Sequence, residues 1–180
     1  MSILYTDRLV LRPFKENDAE AMYKNWTFDN RVAQYCRWYP HSNIEMTRQL
    51  LNIYLEESKK GFDYRWAILL KESDEPIGAI DVVGVSENSK TATIGYVLSH
   101  NYWNKGYATE ALRKVIKYLF NNGFDIIEAE HHIDNVASGK VMEKCGMKYI
   151  GDSKAQRKFG SDEYCIVKQY QIKNCSGSNT

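Results

Sequence analysis

The chain has 180 residues, of which 43% are hydrophobic and 26% are charged. Its 24 Lys and Arg against 23 Asp and Glu give a formal net charge of +1, which removes the main electrostatic argument for nucleic acid or an anionic membrane as the partner. No apolar run approaches the ~18 residues of a membrane span, and the first residues lack the basic-then-apolar order of a signal peptide. We therefore expect one domain over residues 1–175 with a flexible tail at 176–180, in the cytoplasm.

The first half of the chain predicts one strand, two helices and then three strands. Leu9 and Leu11, with charged residues around them, predict a strand over residues 3–14 that ends at Pro13. Three later segments with turn-like residues between them, at 63–71, 76–85 and 90–98, predict an antiparallel meander. The two intervening helices are marked by pairs that resemble capping boxes, Asn17 with Glu20 and Ser42 with Glu45.

The second half predicts helix, strand, helix and a final hairpin. Apolar residues at helical spacing follow Ala108 and end at the Asn-Asn-Gly of residues 121–123. A strand at 125–133, a helix at 135–144 and a hairpin at 148–172 that turns near Gly160 complete the chain. The fold class that this order predicts is α/β (α+β), with a mixed, mostly antiparallel central sheet flanked by about four helices.

The loop between the 90–98 strand and the following helix has the composition of an anion site. Backbone N–H groups in the first turn of a helix have no intrahelical acceptor, and the helix dipole is positive there. Gly106 permits a tight turn and Ala108 keeps it narrow, so the N–H groups from Lys105 to Thr109 could converge on a pyrophosphate. Taken alone, the same residues are typical of ordinary helix capping.

A second candidate is the strand-to-helix junction at residues 134–138. Asp134 or Asn135 could simply cap the short helix. Alternatively, the Asn135 amide and the Ser138 hydroxyl face a ligand that lies between this strand and the 91–98 strand. Cys145, at helical spacing from apolar residues, is interpreted as core and not as a nucleophile.

Three motifs together resemble a known family. Residues 102–112, YWNKGYATEAL, resemble the acetyl-CoA pyrophosphate loop of the GNAT superfamily of N-acetyltransferases, and residues 134–147 resemble its next motif. The opening TDRLVLRP at residues 6–13 is similar to the RimJ/RimL-type branch. The resemblance extends from Thr6 to about Ile172. It implies a GNAT fold with a sheet that splays at the cofactor, acetyl-CoA as co-substrate and an amine as acceptor.

The resemblance also implies cofactor contacts. The exposed edge of the splayed strand would pair with pantetheine, the loop would hold the pyrophosphate, and Ser138 would lie close to the cofactor sulfur, with Asn135 near pantetheine. Trp103 stands where the family has Gln or Arg, so no side-chain contact to phosphate is expected from it. The implied set is Tyr96, Val97, Leu98, Trp103, Asn104, Lys105, Gly106, Tyr107, Ala108, Thr109, Asn135 and Ser138.

One departure concerns the leaving group. Many relatives carry a tyrosine that protonates the departing thiolate, but this chain has Met142 there, and methionine cannot donate a proton. Ser138, a water molecule or no acid at all would take that role, since a thiol of pKa ~8.5 hardly requires one. The departure keeps open a second class of function, a non-catalytic acyl-CoA-binding sensor.

The general base is sought on the 125–133 strand. Glu128, Glu130 and His132 alternate along it and share one face, which is either a solvated polar face or the catalytic one. We favour Glu130, which aligns with the base of some N-terminal acetyltransferases of the superfamily, with Asp81 or water as rivals.

No metal is expected. The acceptor is a protein N-terminus, ribosomal in RimJ/RimL-type relatives, or a small amine, and a homodimer is left open.

Overall fold

A computed structural model describes residues 2–61 and 64–174. These residues form eight strands in one sheet of order β1-β2-β3-β4-β5-β6-β8-β7, and five α-helices. The strands are β1 Leu4–Tyr5, β2 Leu9–Arg12, β3 Arg65–Leu70, β4 Pro76–Ser86, β5 Thr91–Leu98, β6 Ile126–His132, β7 Lys148–Gln156 and β8 Tyr164–Lys173. The helices are α1 Ala19–Met22, α2 Asn30–Ala33, α3 Ile44–Lys59, α4 Tyr107–Asn121 and α5 Val136–Lys144.

The predicted α+β class and the antiparallel meander are confirmed. Every neighbouring pair of strands is antiparallel except β5 and β6, which run parallel. The start of the second predicted strand at Asp63 and the predicted tail at 176–180 lie outside the described residues. The described residues form five α-helices where the sequence predicted about four. The additional helix is α2, a single turn capped by the Asp29 carboxylate, which is too short to show a periodic pattern.

Several predicted boundaries were wrong. The opening strand is two strands, because the chain turns between them and Leu9 N–H donates to the Thr6 hydroxyl at 2.9 Å. Helix α1 continues from a 3₁₀ turn at Glu16–Asp18 into a π-helical turn at Tyr23–Thr27. The Asn17 pair does not cap it: the residue before the turn is Lys15, whose N–H donates to Asp18. Likewise Asn43, one residue after the predicted Ser42, caps α3.

Each face of the sheet is covered by helices. One hydrophobic cluster packs α4 and α5 residues against even-numbered β4 and β5 residues such as Ile80 and Ile94. The other cluster packs α1 and α3 residues against odd-numbered residues such as Ala67 and Leu69. Within the described part of the chain, none of the helices combines the length and apolar character needed to cross a bilayer. The sheet thus has an α4 face and an α1 face, which present different side chains.

Candidate active site

Strands β5 and β6 separate along most of their length. Their pairing covers three residue pairs, Thr91 with Ile126, Ala92 with Ile127 and Thr93 with Glu128. Beyond Thr93 the two strands diverge, so residues 94–98 of β5 present their backbone groups to a cleft and not to β6. We call the space between the diverging strands the gap. The cleft has a volume of about 640 Å³ and is lined by the end of β5, the first turns of α4 and α5, and a segment after α2.

The loop before α4 has the backbone of an anion site. Gly106 precedes the helix with φ of 81°, in the left-handed region that favours glycine, and no side chain caps the N–H groups of the first turn. Arg8 supports the turn: its guanidinium donates to the Lys105 carbonyl at 2.9 Å and forms an ion pair with Glu110 at 2.7 Å. Uncapped N–H groups at the positive end of a 15-residue helix can bind a phosphate group.

Trp103 points toward the backbone of β5. Its indole N–H donates to the Leu98 carbonyl at 2.7 Å, and its ring lies 4.8 Å from that of His100, measured between centroids. The Leu98 carbonyl oxygen, at the end of β5, is therefore already hydrogen-bonded to the Trp103 indole, and this bond holds the loop against the strand.

At the start of α5, Asn135 and Ser138 line the cleft, and Asn135 is the N-cap of the helix. The Asn135 side-chain oxygen accepts from the Ser138 N–H at 3.3 Å, so the residue caps the helix, while Asn135 also lines the cleft. The Ser138 Oγ lies 2.7 Å from the hydroxyl oxygen of Tyr96 on β5. Burial raises the pKa of Tyr96, so the phenol keeps its proton. The Tyr96–Ser138 pair connects β5 to α5 where β5 and β6 have diverged.

Met142 and Cys145 behave as core residues. Met142 is 1% exposed and belongs to the cluster on the α4 face. Cys145 donates through Sγ to the Thr109 carbonyl at 3.4 Å, and burial raises the pKa of its thiol to about 11. A thiol that stays protonated at neutral pH is a poor nucleophile.

The alternating side chains of β6 lie on the α1 face. Glu130 forms an ion pair with Arg37, which follows α2, and Glu128 accepts from the Gln171 amide at 2.8 Å. The His132 ring lies 5.5 Å from that of Tyr35, and burial lowers the His132 pKa. The sequence predicted that Glu128, Glu130 and His132 share one face of the strand, and they do. Glu130 and His132 contact residues of the 33–38 segment.

Asp81 is held in a separate cluster on the same face. It is paired with Gly95 in the β4–β5 register and accepts from Arg65 Nε at 3.0 Å. Arg65 also bonds to Glu57 and stacks 3.9 Å above the centre of the Tyr54 ring. Burial raises the pKa of Asp81, but the adjacent guanidinium opposes that shift. Asp81 therefore belongs to a structural cluster of ion pairs, and its carboxylate is not free to act as a base.

The 33–38 segment was missed by the sequence reasoning. The buried Lys158, at the tip of the β7–β8 hairpin, donates to the carbonyls of Ala33, Cys36 and Trp38 at 2.7, 2.8 and 3.0 Å. A lysine that fixes three carbonyls more than 100 residues away leaves no local signal in the sequence. It fixes one wall of the cleft and the position of Arg37.

The site is a cleft between two diverging strands, with an uncapped helix N-terminus at one end and a carboxylate beyond the gap. This arrangement can hold an extended, phosphate-bearing ligand along the cleft. The chain matches the "Acetyltransferase (GNAT) domain" family over residues 8–148. It belongs to the GNAT family of acetyltransferases, and it is an N-acetyltransferase whose acetyl donor is acetyl-CoA.

Individual relatives agree with this assignment. The chain is 32% identical to the uncharacterized N-acetyltransferase p20 of Bacillus licheniformis, over 84% of this chain and 85% of that one. It is 26% identical to the ribosomal-protein-serine acetyltransferase of Escherichia coli, over 94% of each chain. A crystal structure of a GNAT-family acetyltransferase from Bacillus anthracis superposes with a TM-score of 0.82 at 28% identity, covering 96% of this chain and 98% of that one.

Proposed function

We propose that the enzyme transfers the acetyl group directly from acetyl-CoA to the α-amine of a protein or peptide, as an enzyme of the RimJ/RimL type, with small primary amines as the alternative acceptors. The observation that carries the proposal is the gap, which continues the cleft that contains the uncapped N-terminus of α4. Glu130 is on β6, with its carboxylate paired to Arg37 on the α1 face and outside the cleft lining. A donor and an acceptor that enter from the two faces of the sheet would meet there.

The cofactor would lie along the cleft. Its pyrophosphate would accept hydrogen bonds from the N–H groups of Lys105 to Thr109, with Gly106 allowing the close approach. Pantetheine would continue along the open edge of β5 from Leu98 toward Tyr96, passing the Asn135 amide. The thioester then reaches the gap, where a backbone N–H of β5 would stabilise the oxyanion that forms on attack.

The pairing of Glu130 with Arg37 bears on the acceptor. To take a proton, directly or through water, Glu130 must give up part of its ion pair with that guanidinium. An amine that binds in its neutral form does not have to be deprotonated before it attacks, so it depends least on such a base. At pH 7 a free α-amine, with a pKa of ~7.7–8.0, is neutral a few hundredfold more often than a lysine side chain with a pKa of ~10.4. The ion-paired carboxylate therefore favours an α-amine.

Two further observations support the proposal. The match to the ribosomal-protein-serine acetyltransferase of E. coli spans nearly the whole of both chains, which favours an N-terminal acceptor. The described cysteines Cys36, Cys145 and Cys165 are free thiols, as is usual in the reducing cytoplasm, where we place the enzyme.

The acceptor is tested by following thiol release from acetyl-CoA with matched amines. One peptide carries a free N-terminus and no lysine, a second has a blocked N-terminus and one internal lysine, and a third panel contains small amines. We expect the first peptide to give the highest kcat/KM at pH 7.5. Higher kcat/KM for the blocked lysine peptide would contradict the α-amine assignment, and turnover of the small amines alone would replace it with their class.

A further inference from the structure

The turn between β1 and β2 contacts the first turn of α4. Thr6 and Arg8 of this turn both bond to Glu110, which lies 104 and 102 residues away in the chain. The Thr6 hydroxyl donates to Oε1 of Glu110 at 2.5 Å, and the Arg8 backbone N–H donates to the same oxygen at 2.9 Å. The Arg8 guanidinium donates through Nε to Oε2 at 2.7 Å. Acetyl transfer itself gives these contacts no role.

Glu110 brings a negative charge to the place where a pyrophosphate needs a positive field. It lies in the first turn of α4, one turn after Gly106. A carboxylate there is attracted by the same positive helix end and repels a phosphate group. Burial alone would raise the pKa of Glu110, but the hydrogen bonds from Thr6 and Arg8 and the charge of Arg8 lower it overall, so the carboxylate is ionised at neutral pH. The guanidinium of Arg8 balances that charge.

Arg8 also holds the peptide that precedes α4. Its Nη1 donates to the Lys105 carbonyl oxygen at 2.9 Å, and its guanidinium carbon lies 4.4 Å from the centre of the Tyr107 ring. In a trans peptide the C=O and N–H bonds point in opposite directions, so a fixed Lys105 carbonyl fixes the direction of the Gly106 N–H. Gly106 lines the cleft and Arg8 does not, so Arg8 holds this peptide from the side away from the cleft.

We infer that Arg8 is a positioning residue for acetyl-CoA: it balances the charge of Glu110 and directs the Gly106 N–H toward the pyrophosphate, without touching the cofactor itself. The inference rests on the proposed function, which places the pyrophosphate at the N-terminus of α4. The planar guanidinium suits this task because it donates to a carboxylate and to a carbonyl oxygen at once. The Arg8 side chain is about half exposed, so the ion pair adds little to folding stability and should act on cofactor affinity.

Calorimetry of coenzyme A binding tests the inference. Arg8→Met keeps an unbranched side chain without the charge, and it should raise the Kd for coenzyme A about 10-fold, which corresponds to about 1.4 kcal/mol. Adding Glu110→Gln to Arg8→Met should lower that Kd again by about threefold, because the unbalanced charge is gone while the Lys105 carbonyl still lacks its donor. Arg48→Met is the matched control. Arg48 is 46% exposed and pairs with Glu45 in the first turn of α3, but neither residue lines the cleft, so the Kd should stay at the wild-type value.

The split between kcat and KM separates positioning from a structural effect. Arg8→Met should raise the KM for acetyl-CoA and leave kcat within about twofold of wild type, because the gap itself is unchanged. S-acetylpantetheine lacks the pyrophosphate, so the kcat/KM for this donor should be the same in Arg8→Met and in wild type. A wild-type Kd for coenzyme A in Arg8→Met, an equal rise in Arg48→Met, or no recovery on adding Glu110→Gln would overturn the inference.

A variant that keeps the ion pair protects the test against a loss of the fold. The ammonium of Arg8→Lys can pair with Glu110 but cannot also reach the Lys105 carbonyl in the fork geometry of a guanidinium, so the Kd for coenzyme A should rise about threefold. A wild-type Kd in this variant would overturn the inference too. Coenzyme A binding needs no acceptor, so absence of thiol release by the wild-type enzyme with every amine would instead refute the proposed function.

Discussion

The two sides of the gap are built differently. On the α4 face, the side that we propose for the cofactor has backbone groups and neutral hydroxyls from two helix starts and from β5, with Gly106 and the Tyr96–Ser138 pair as its main elements. On the α1 face, the side that we propose for the acceptor has charged side chains in ion pairs, Glu130 with Arg37 and Asp81 with Arg65. The groups on the cofactor side come from contiguous stretches of sequence and suit a single ligand. The side chains on the acceptor side are held in place by contacts between segments that are distant in sequence. Changes on the two sides should therefore affect different kinetic constants.

The largest effect is expected from Gly106→Val on the cofactor side. The branched side chain would have to adopt φ near 81°, and a Cβ there would lie 3.3 Å from the Arg8 guanidinium. Losing two hydrogen bonds to a charged phosphate, at ~1.5 kcal/mol each, corresponds to a Kd for coenzyme A about 100-fold higher. Calorimetry measures it. Gly123→Val is the matched control, because Gly123 has φ of 91° at the other end of α4; an equal loss of affinity in both variants would contradict the anion site.

On the acceptor side, Glu130→Gln should lower kcat/KM by about 10²-fold at neutral pH without changing the Kd for coenzyme A. The deficit should shrink as pH rises, because the acceptor then arrives neutral. The rescue should begin near pH 8 for an α-amine and only toward pH 10 for a lysine side chain. Glu128→Gln, on the same strand and face but bonded to Gln171, is the control and should retain activity. A Glu130→Gln profile identical to wild type from pH 6 to 9 would remove Glu130 from the mechanism and transfer its role to Asp81 or water.

The wall of the acceptor side offers a smaller, selective effect. Lys158→Met removes the ammonium group that donates to three carbonyls of the 33–38 segment, so the segment should shift and carry Arg37 with it. We expect KM for the acceptor to rise about 10-fold, with a smaller rise in the Kd for coenzyme A because Gln34, Tyr35 and Cys36 also line the cleft. Lys154→Met, on the exposed part of the same hairpin, should change neither constant. Parallel losses of both affinities in Lys158→Met would show that the two sides are not independent.

The elements of the proposed cofactor side follow from the sequence more directly than the contacts of the proposed acceptor side, for a physical reason. The strand, the Gly106 turn and α4 are contiguous, and so are β6, Asn135 and Ser138, so each motif can be read in one stretch. Local rules also found most helices and strands, although α2 escaped because a single turn has no period.

Long-range contacts could not be read in this way. Nothing local marks Arg37 as the partner of Glu130, or Lys158 as the donor to residues more than 100 positions away, since those contacts exist only once β6 and the hairpin tip pack beside the 33–38 segment. The same limit applies to the Tyr96–Ser138 bond, which joins a strand and a helix 42 residues apart.

Helix α5, which carries Asn135 and Ser138, depends on a close approach to β6. A Cβ at Gly139 would lie 2.6 Å from Nε2 of the buried His131. Although alanine favours a helix interior by ~1 kcal/mol over glycine, overpacking costs ~1–3 kcal/mol, so Gly139→Ala should lower the free energy of unfolding by about 1 kcal/mol. Urea titration measures this. In a His131→Ala background the same change should stabilise; destabilisation in both backgrounds would contradict the packing argument.

The smallest effect is expected from Cys145→Ala, which should keep most of the wild-type kcat. The Cys145 thiol, with its pKa raised to about 11 by burial, has almost no thiolate at neutral pH. Intact-mass measurement during turnover should find no acetyl group on the enzyme. An acetylated Cys145 that forms and decays at the turnover rate would replace direct transfer with a two-step reaction.

The most direct test of the account is a single-turnover experiment with enzyme in excess over acetyl-CoA and a peptide with a free N-terminus. Thiol release and the mass of the peptide are followed over time. One acetyl group should appear on the peptide α-amine for each thiol released, at the same rate, because donor and acceptor meet in the gap. Tight binding of acetyl-CoA with no thiol released in the presence of any amine would contradict it and identify the cleft as a sensor of acyl-CoA.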